Sequence, residues 1–303
     1  LLTSRRDGLW VFYAATRCGE ASDFLQAMGP FLHTDTAMRE DLAMAAQILE
    51  ERALKTRQFF NAIAEDWDEL NREVLEDFDL PAAVLAAVPE GCRVAVDLGC
   101  GTGAVLERLL PASQSLIGVD GSEDMLLEAR EKAQTLTGVP PLFLHQSMPE
   151  LDLYGTVEAA ICCLDSLNYL TDAREVRETF RRLHLFIAPG GSLVFDVHAL
   201  GKLEAMDGQV WLDEREDVYC VWRTEYSRRS RLLDYYVDIF SVRADGAWER
   251  SFEEHHQRWY SVSELTEWLT AAGFGEIRVY GDCRLRAPNE TDGRIYISCI
   301  RKE

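Results

Sequence analysis

The amino-acid sequence predicts an α/β fold built on a parallel sheet, and three observations carry that expectation. From Gly91 to Val197 short apolar runs alternate with helix-period segments, the pattern of a parallel sheet covered on both faces. Over about residues 218–260 three β-rich segments follow one another with only polar turns between them, which makes an antiparallel arm. The last two β-rich segments, residues 276–280 and 294–301, have no helix pattern between them and are expected to pair antiparallel.

In chain order, residues 1–15 read as a hairpin, with a polar turn from Ser4 to Gly8 ahead of the run Leu9-Trp10-Val11-Phe12-Tyr13. From about Thr36 the period becomes helical, with Met38, Leu42, Ala45 and Leu49 on one face, then Phe60, Ile63, Trp67, Leu70 and Val74 on another. Residues 93–98 are a first buried strand, followed by a glycine turn and a helix carrying Val105, Leu106 and Leu109. Residues 115–120 form a second strand, and Ser122 then caps a helix running toward Gln134, with Glu123 and Asp124 complementing its dipole. Residues 142–144 and 157–163 are the third and fourth strands. A helix over 172–186 and the turn Pro189-Gly190-Gly191 lead into the fifth, residues 192–197. After the arm, the capping box Ser261-x-x-Glu264 opens a helix that ends at Gly273.

The chain has 303 residues, room for one large α/β domain with an added module. Its 31 basic and 52 acidic residues give a net charge of −21, and a surface this acidic repels nucleic-acid backbones. No apolar run approaches the roughly 18 residues of a membrane helix, and the first ten residues lack the pattern of a signal peptide. The chain opens without Met, as a fragment or a processed chain would. Eight cysteines (18, 92, 100, 162, 163, 220, 283, 299) lack metal-ligand spacing, so the expectation is no metal and reduced thiols in a cytoplasmic protein, with the adjacent Cys162-Cys163 as the one suggestive pair.

The chemistry-bearing motif is Asp97-Leu98-Gly99-Cys100-Gly101-Thr102-Gly103, at a strand-to-helix turn where glycines admit a ligand close to free backbone N–H groups. Asp120 ends the next strand, where a carboxylate can accept both hydroxyls of a ribose. Read as Gly99-x-Gly101-x-x-Ala104, the loop fits a nicotinamide-dinucleotide fingerprint and an oxidoreductase. Asp97, two positions before the first glycine, instead suits a cofactor carrying a cationic ammonium group.

On these residues the chain resembles the class I S-adenosylmethionine-dependent methyltransferases over about residues 59–301. The resemblance implies a Rossmann-like seven-stranded sheet with a reversed last strand. It implies a cofactor held by Asp97, Gly99, Cys100, Gly101, Gly103, Asp120, Gly121, Met125, Ser147, Met148 and Leu164. Ser147 stands where the family often has an acid for the adenine amino group. The stretch Cys163-Leu164-Asp165-Ser166-Leu167-Asn168-Tyr169-Leu170, the segment Phe195-Asp196-Val197-His198 and the arm run 252–260 look like those of small-molecule methyltransferases with a β-arm. Glycine and sugar-amine N-methyltransferases are similar in layout. Methyl transfer to a nitrogen or oxygen is the implied reaction, with Tyr169, His198 and His256 as candidate bases and Phe60, Trp67, Asn168, Tyr169 and Arg258 against the substrate. Strand alternation puts Glu254, His256 and Arg258 on one face of the arm and Glu253, His255 and Gln257 on the other, one of them toward the pocket.

The opening hairpin is similar to the wing of arsenical-repressor-type winged-helix regulators, which adds a second reading, an effector-binding regulator without turnover. Without its recognition helix a wing cannot read DNA, so the hairpin is expected to pack or to serve a homodimer. The implied organisation is a truncated wing over 1–35, a helical cap over 36–90, and a methyltransferase domain over 91–303 with its arm inserted at about 205–260.

Overall fold

The computed structural model describes residues 2–7, 10–15, 44, 88–109, 113–136, 139–214, 218–242, 246–282 and 284–303. The helical segment expected over 36–90, including Phe60 and Trp67, lies outside the described residues apart from 44 and 88–90. Internal contacts divide the chain into two units, residues 1–54 and 55–303.

In the first unit β1 (Leu2–Asp7) and β2 (Trp10–Ala15) pair antiparallel, with Asp7 opposite Trp10. The polar run expected as a turn from Ser4 is therefore strand as far as Asp7. Ladder hydrogen bonds belong to the backbone and form whatever side chains the residues carry.

The described elements of the second unit are, first, β3 (Val94–Leu98), α1 (Ala104–Leu109), β4 (Ser115–Asp120), α2 (Glu123–Ala133), β5 (Leu142–His145) and β6 (Val157–Cys162). It continues with α3 (Ala173–Phe186), β7 (Ile187–His198) and α4 (Leu200–Met206). Four arm strands follow: β8 (Val210–Glu214), β9 (Val218–Ser227), β10 (Leu232–Val242) and β11 (Trp248–Arg258). The chain closes with α5 (Val262–Ala272), β12 (Phe274–Gly281) and β13 (Arg294–Arg301). The main sheet has seven strands in the order β12-β13-β7-β6-β3-β4-β5. Strands β3 to β7 pair parallel, while β13 runs antiparallel to both β7 and β12, as the missing helix between the last two strands predicts.

Alternation along the strands splits the core in two. Val96, Ala160, Phe195 and Ile297 pack with Phe180 and Leu183 of α3 and Leu265 and Leu269 of α5. Ala95, Ala159, Ile161 and Leu116 pack with Leu106 of α1 and Leu126 of α2. The caps form as the sequence predicts: Ser122 accepts from the Met125 N–H, and Ser261 and Glu264 close a capping box whose helix ends at left-handed Gly273.

The arm has four strands, in the order β11-β10-β9-β8. β8, absent from the sequence reading, is a short run with exposed Val210 and Leu212, and too little of it is buried to leave a core signal. It is held by ladder bonds and by Trp211 stacked on its cross-strand partner Trp222, ring centroids 5.9 Å apart. On α4, Leu203 packs with Tyr226 and Leu233 and so joins the arm to the end of β7.

Gly118 in β4 gives a sharp packing test. A Cβ there would lie 2.8 Å from Leu106 Cδ1, and 2.9 Å from both Cys100 Sγ and Phe143 Cδ1. Gly118→Val is expected to destabilise the protein by about 1–3 kcal/mol, read as a lower denaturation midpoint at unchanged m-value.

Candidate active site

The glycine turn follows from the exit of β3. Gly99, Gly101 and Gly103 all have positive φ (68°, 51° and 85°), and a Cβ on Gly99 would come 2.5 Å from Ser166 Oγ. Only glycine fits a backbone that is both left-handed and pressed against that hydroxyl. The Gly99 and Cys100 N–H groups donate to Val119 O at 2.7 and 3.1 Å. Asp120 closes the other side: its carboxylate accepts from the Gly101 and Ser122 N–H groups, both at 2.8 Å. Burial raises the Asp120 pKa, and those two bonds oppose the rise.

Asp97 is buried on the same turn, and its Oδ2 has no hydrogen-bond partner among the described residues. Burial first, and then Asp120 beside it, push its pKa up to about 8. An acid in that state is half of an ion pair, and a cation brought against it restores its charge. The ammonium group of S-adenosylmethionine fits this requirement. A pyrophosphate does not.

The other residues assigned to the cofactor surround this turn. Gly121 faces open space, since a Cβ there would meet nothing within 4 Å, and Met125 is buried beneath the capped start of α2. Ser147 caps the short turn Met148–Glu150 and donates its hydroxyl to Glu150 Oε2 at 2.6 Å. The Met148 sulfur lies 3.9 Å from Cys162 Sγ, and its Cε lies 3.3 Å from where a Gly99 Cβ would stand. Leu164 and Asp165, just past β6, are both left-handed, with φ of 59° and 54°. Two consecutive non-glycine residues in that region store strain that the surroundings must hold.

The surroundings are a buried polar cluster at the carboxyl ends of β6 and β7. Arg294 opens β13 opposite His198, forms an ion pair with Asp165 Oδ1 and donates to Asp196 Oδ2 at 2.5 Å. Gln257, from the arm, donates to Asp165 Oδ2 at 2.5 Å and accepts at Oε1 from Tyr235 at 3.1 Å. His198 Nε2 lies 3.0 Å from that same Oε1 and 3.4 Å from Asp165 Oδ2. Burial works against the charge on Asp165, but Arg294, with His198 beside it, outweighs burial and holds the carboxyl far below its usual range. Burial lowers the His198 pKa against the pull of Asp165. Burial also raises Tyr169, a phenol in the same cluster, with Asp165 and Tyr235 adding to the rise.

The structure separates the residues assigned as bases and as substrate contacts. His198 and Tyr169 belong to the cluster. Asn168 is fully buried and its amide serves the backbone, donating to Arg258 O at 2.7 Å and accepting from the His198 N–H at 3.1 Å. On β11 the face turned to the strand ends carries His255 and Gln257, and His256 and Arg258 lie on the other. His256 Nδ1 sits 2.5 Å from Asp234, its cross-strand partner, and Arg258 donates to Thr171 O at 3.0 Å and stacks over Tyr260. Alternation alone offered the two faces equally; contacts with Asp165 and His198 choose between them. Asp165, Asp196, Tyr235 and Gln257 lie inside segments that the sequence marks without giving each its own role, but nothing in the sequence places Arg294, which arrives through the reversed register of β13.

Comparisons with known proteins show the family to which this fold belongs. Residues 95–191 match the family model described as a methyltransferase domain. A Geobacillus sp. (strain WCH70) protein named as a methyltransferase is 32% identical over 208 residues, 68% of this chain and 84% of that protein. The Streptomyces venezuelae dTDP-3-amino-3,4,6-trideoxy-alpha-D-glucopyranose N,N-dimethyltransferase is 28% identical over 201 residues, 65% of this chain and 81% of its own. An S-adenosylmethionine-dependent methyltransferase structure from Clostridium acetobutylicum ATCC 824 superposes with a TM-score of 0.68 at 23% identity, covering 80% of this chain and 99% of that one.

Arg294 neutralises two carboxylates, so Arg294→Met is expected to cost about 3–5 kcal/mol in urea unfolding at pH 7. In the wild type the depressed Asp165 pKa contributes stability that is present above the unfolded value and lost as pH falls through the folded one. In Arg294→Met that contribution is gone, and unfolding curves at pH 7 and pH 2, which bracket the unfolded carboxylate pKa, should lie closer together than in the wild type.

Proposed function

This chain belongs to the class I S-adenosylmethionine-dependent methyltransferases, and we propose that within that family it methylates a nitrogen or oxygen of a small molecule held beneath its β-arm. The observation that carries the reading is the tie from Gln257 of β11 to Asp165 and His198 at the strand ends. In an open α/β sheet that edge is the ligand crevice, and a four-stranded sheet fastened across it leaves room for a small ligand more readily than for a polymer. The aminosugar N,N-dimethyltransferase among the relatives supports an acceptor of that size. Family membership also decides between the two cofactors that the glycine loop allowed, and between turnover and mere binding.

When bound, S-adenosylmethionine supplies an electrophilic methyl carbon on a sulfonium. The protein's task is then to align the acceptor, exclude water and hold protons. Asp97 would pair with the ammonium group, and the carboxylate of Asp120 keeps lone pairs for ribose hydroxyls beyond those its two N–H donors use. Gly99, Cys100, Gly101 and Gly103 would admit the cofactor to the backbone. Gly121, Met125, Met148 and Leu164 would frame it, and Ser147 would accept from the adenine amino group. Of the candidate bases, Tyr169 and His198 would hold the acceptor's proton, and His256, paired with Asp234, would act with Asn168 and Arg258 through the arm. Phe60 and Trp67 remain proposed substrate contacts on the helical cap. The division into a wing over 1–35, that cap over 36–90 and a catalytic domain with its arm at about 205–260 belongs to the same proposal.

Incubation with methyl-labelled S-adenosylmethionine and a panel of amino sugars, small amines, hydroxy compounds, peptides and RNA tests the reading. Label is expected in a small molecule, and label confined to peptide or RNA would overturn it. Asp120→Ala is expected to weaken S-adenosylhomocysteine binding at least about tenfold by titration calorimetry, since each charge-assisted bond is worth about 1.5–3 kcal/mol, with cooperative unfolding retained.

A further inference from the structure

We infer that Asp165 and Gln257 are positioning residues that lock His198 with its proton on Nε2, leaving Nδ1 as the site that takes the acceptor's proton. The inference rests on the small-molecule reading above. It follows from the donor and acceptor count of the cluster. The carboxylate of Asp165, paired with Arg294, is acceptor-only, so the Gln257 group facing it must be the NH2. That fixes Gln257 Oε1 as the atom 3.0 Å from His198 Nε2, where it also accepts from the Tyr235 hydroxyl. His198 Nε2 therefore faces two acceptors, Oε1 and the Asp165 carboxylate at 3.4 Å, and must carry a hydrogen to meet them.

In a neutral imidazole the other nitrogen is then a lone pair. His198 Nδ1 is buried and has no hydrogen-bond partner among the described residues, so the ring keeps one open acceptor. A base held by a carboxylate and presenting one free lone pair is the arrangement that general-base chemistry requires. In the transfer, the acceptor's lone pair forms the bond to the methyl carbon as the carbon–sulfur bond breaks with its electrons going to sulfur. The acceptor's surplus N–H or O–H proton passes to Nδ1, and Asp165 balances the imidazolium.

The charged and titratable groups around His198 come from every neighbouring element: Asp165 from the loop after β6, Lys202 from α4 and Arg294 from β13. Tyr169 and Tyr235 reach the cluster through Gln257. Burial, Lys202 and Arg294 favour the neutral ring and Asp165 opposes them, with the balance on the neutral side.

The test is a long-range 15N–1H correlation spectrum of the full chain labelled with 15N-histidine and saturated with S-adenosylhomocysteine, with His198→Gln to assign the signals. At pH 7 the wild-type ring is expected as the Nε2–H tautomer. In Asp165→Asn the preference should fall about tenfold or more, the worth of one bond to a charged group. A wild-type ring protonated on Nδ1, or a tautomer unmoved in Asp165→Asn, would overturn the inference without touching the small-molecule reading, because neither measurement needs an acceptor. With an acceptor from the labelled screen, Asp165→Asn should lower kcat while KM holds. It should also move the acid limb of the kcat profile to lower pH, since the group that raised the His198 pKa is gone, and an unmoved limb would count against the assignment.

Discussion

Arg294 is the residue on which the polar cluster at the carboxyl ends of β6 and β7 depends. A guanidinium offers donors in a fixed fork, and here that fork spans carboxylates from two different elements, Asp165 from the loop after β6 and Asp196 from within β7. Burial works against the charge on Asp165, and Arg294 is the largest influence that outweighs it. The left-handed Leu164-Asp165 pair is held in place by this ion pair, by the Asp165 N–H donating to Asp196 at 3.1 Å, and by Gln257. Take the arginine away, and the loop, the strand end and the arm lose a common partner.

This cluster exists because one strand is reversed. In a wholly parallel sheet the first residue of a strand lies at the edge away from the ligand crevice. β13 runs against β7, so its opening residue, Arg294, pairs with the last residue of β7, His198. The reversal thus delivers a cation to the carboxyl ends of the strands. The arm makes its own contribution to the same point through Gln257, which reads the orientation of Asp165 and passes it on to His198.

Much of this was legible in the sequence, and for stated reasons. The parallel strands are runs buried on both faces, so β3, β4 and β6 announce themselves without a partner. The glycine turn was legible because left-handed backbone and close approach both demand glycine, and the caps at Ser122 and Ser261 because one side chain answers one orphan N–H. What failed to show was everything decided by pairing between distant segments. Whether His256 or Gln257 meets the strand ends depends on how the arm docks, and period-two alternation is the same either way. Arg294 reads as one more basic residue until the register of β13 is known. Exposed β8 left no trace because the periodicity signal comes from burial, and little of that strand is buried.

Asp97 adds a thermodynamic consequence. With its pKa near 8 in the ligand-free protein, it is largely protonated at neutral pH, whereas a bound ammonium group would hold it ionised. Taking up the cofactor should therefore release a proton to solution, and the apparent binding enthalpy should change with the ionisation heat of the buffer. The same group makes folding and binding respond oppositely to alkali. Its contribution to stability is complete below the unfolded pKa and is lost as pH rises through about 8. Affinity for a cationic ligand strengthens over that same interval, so the enzyme trades a little of its own cohesion for a firmer hold on its methyl donor.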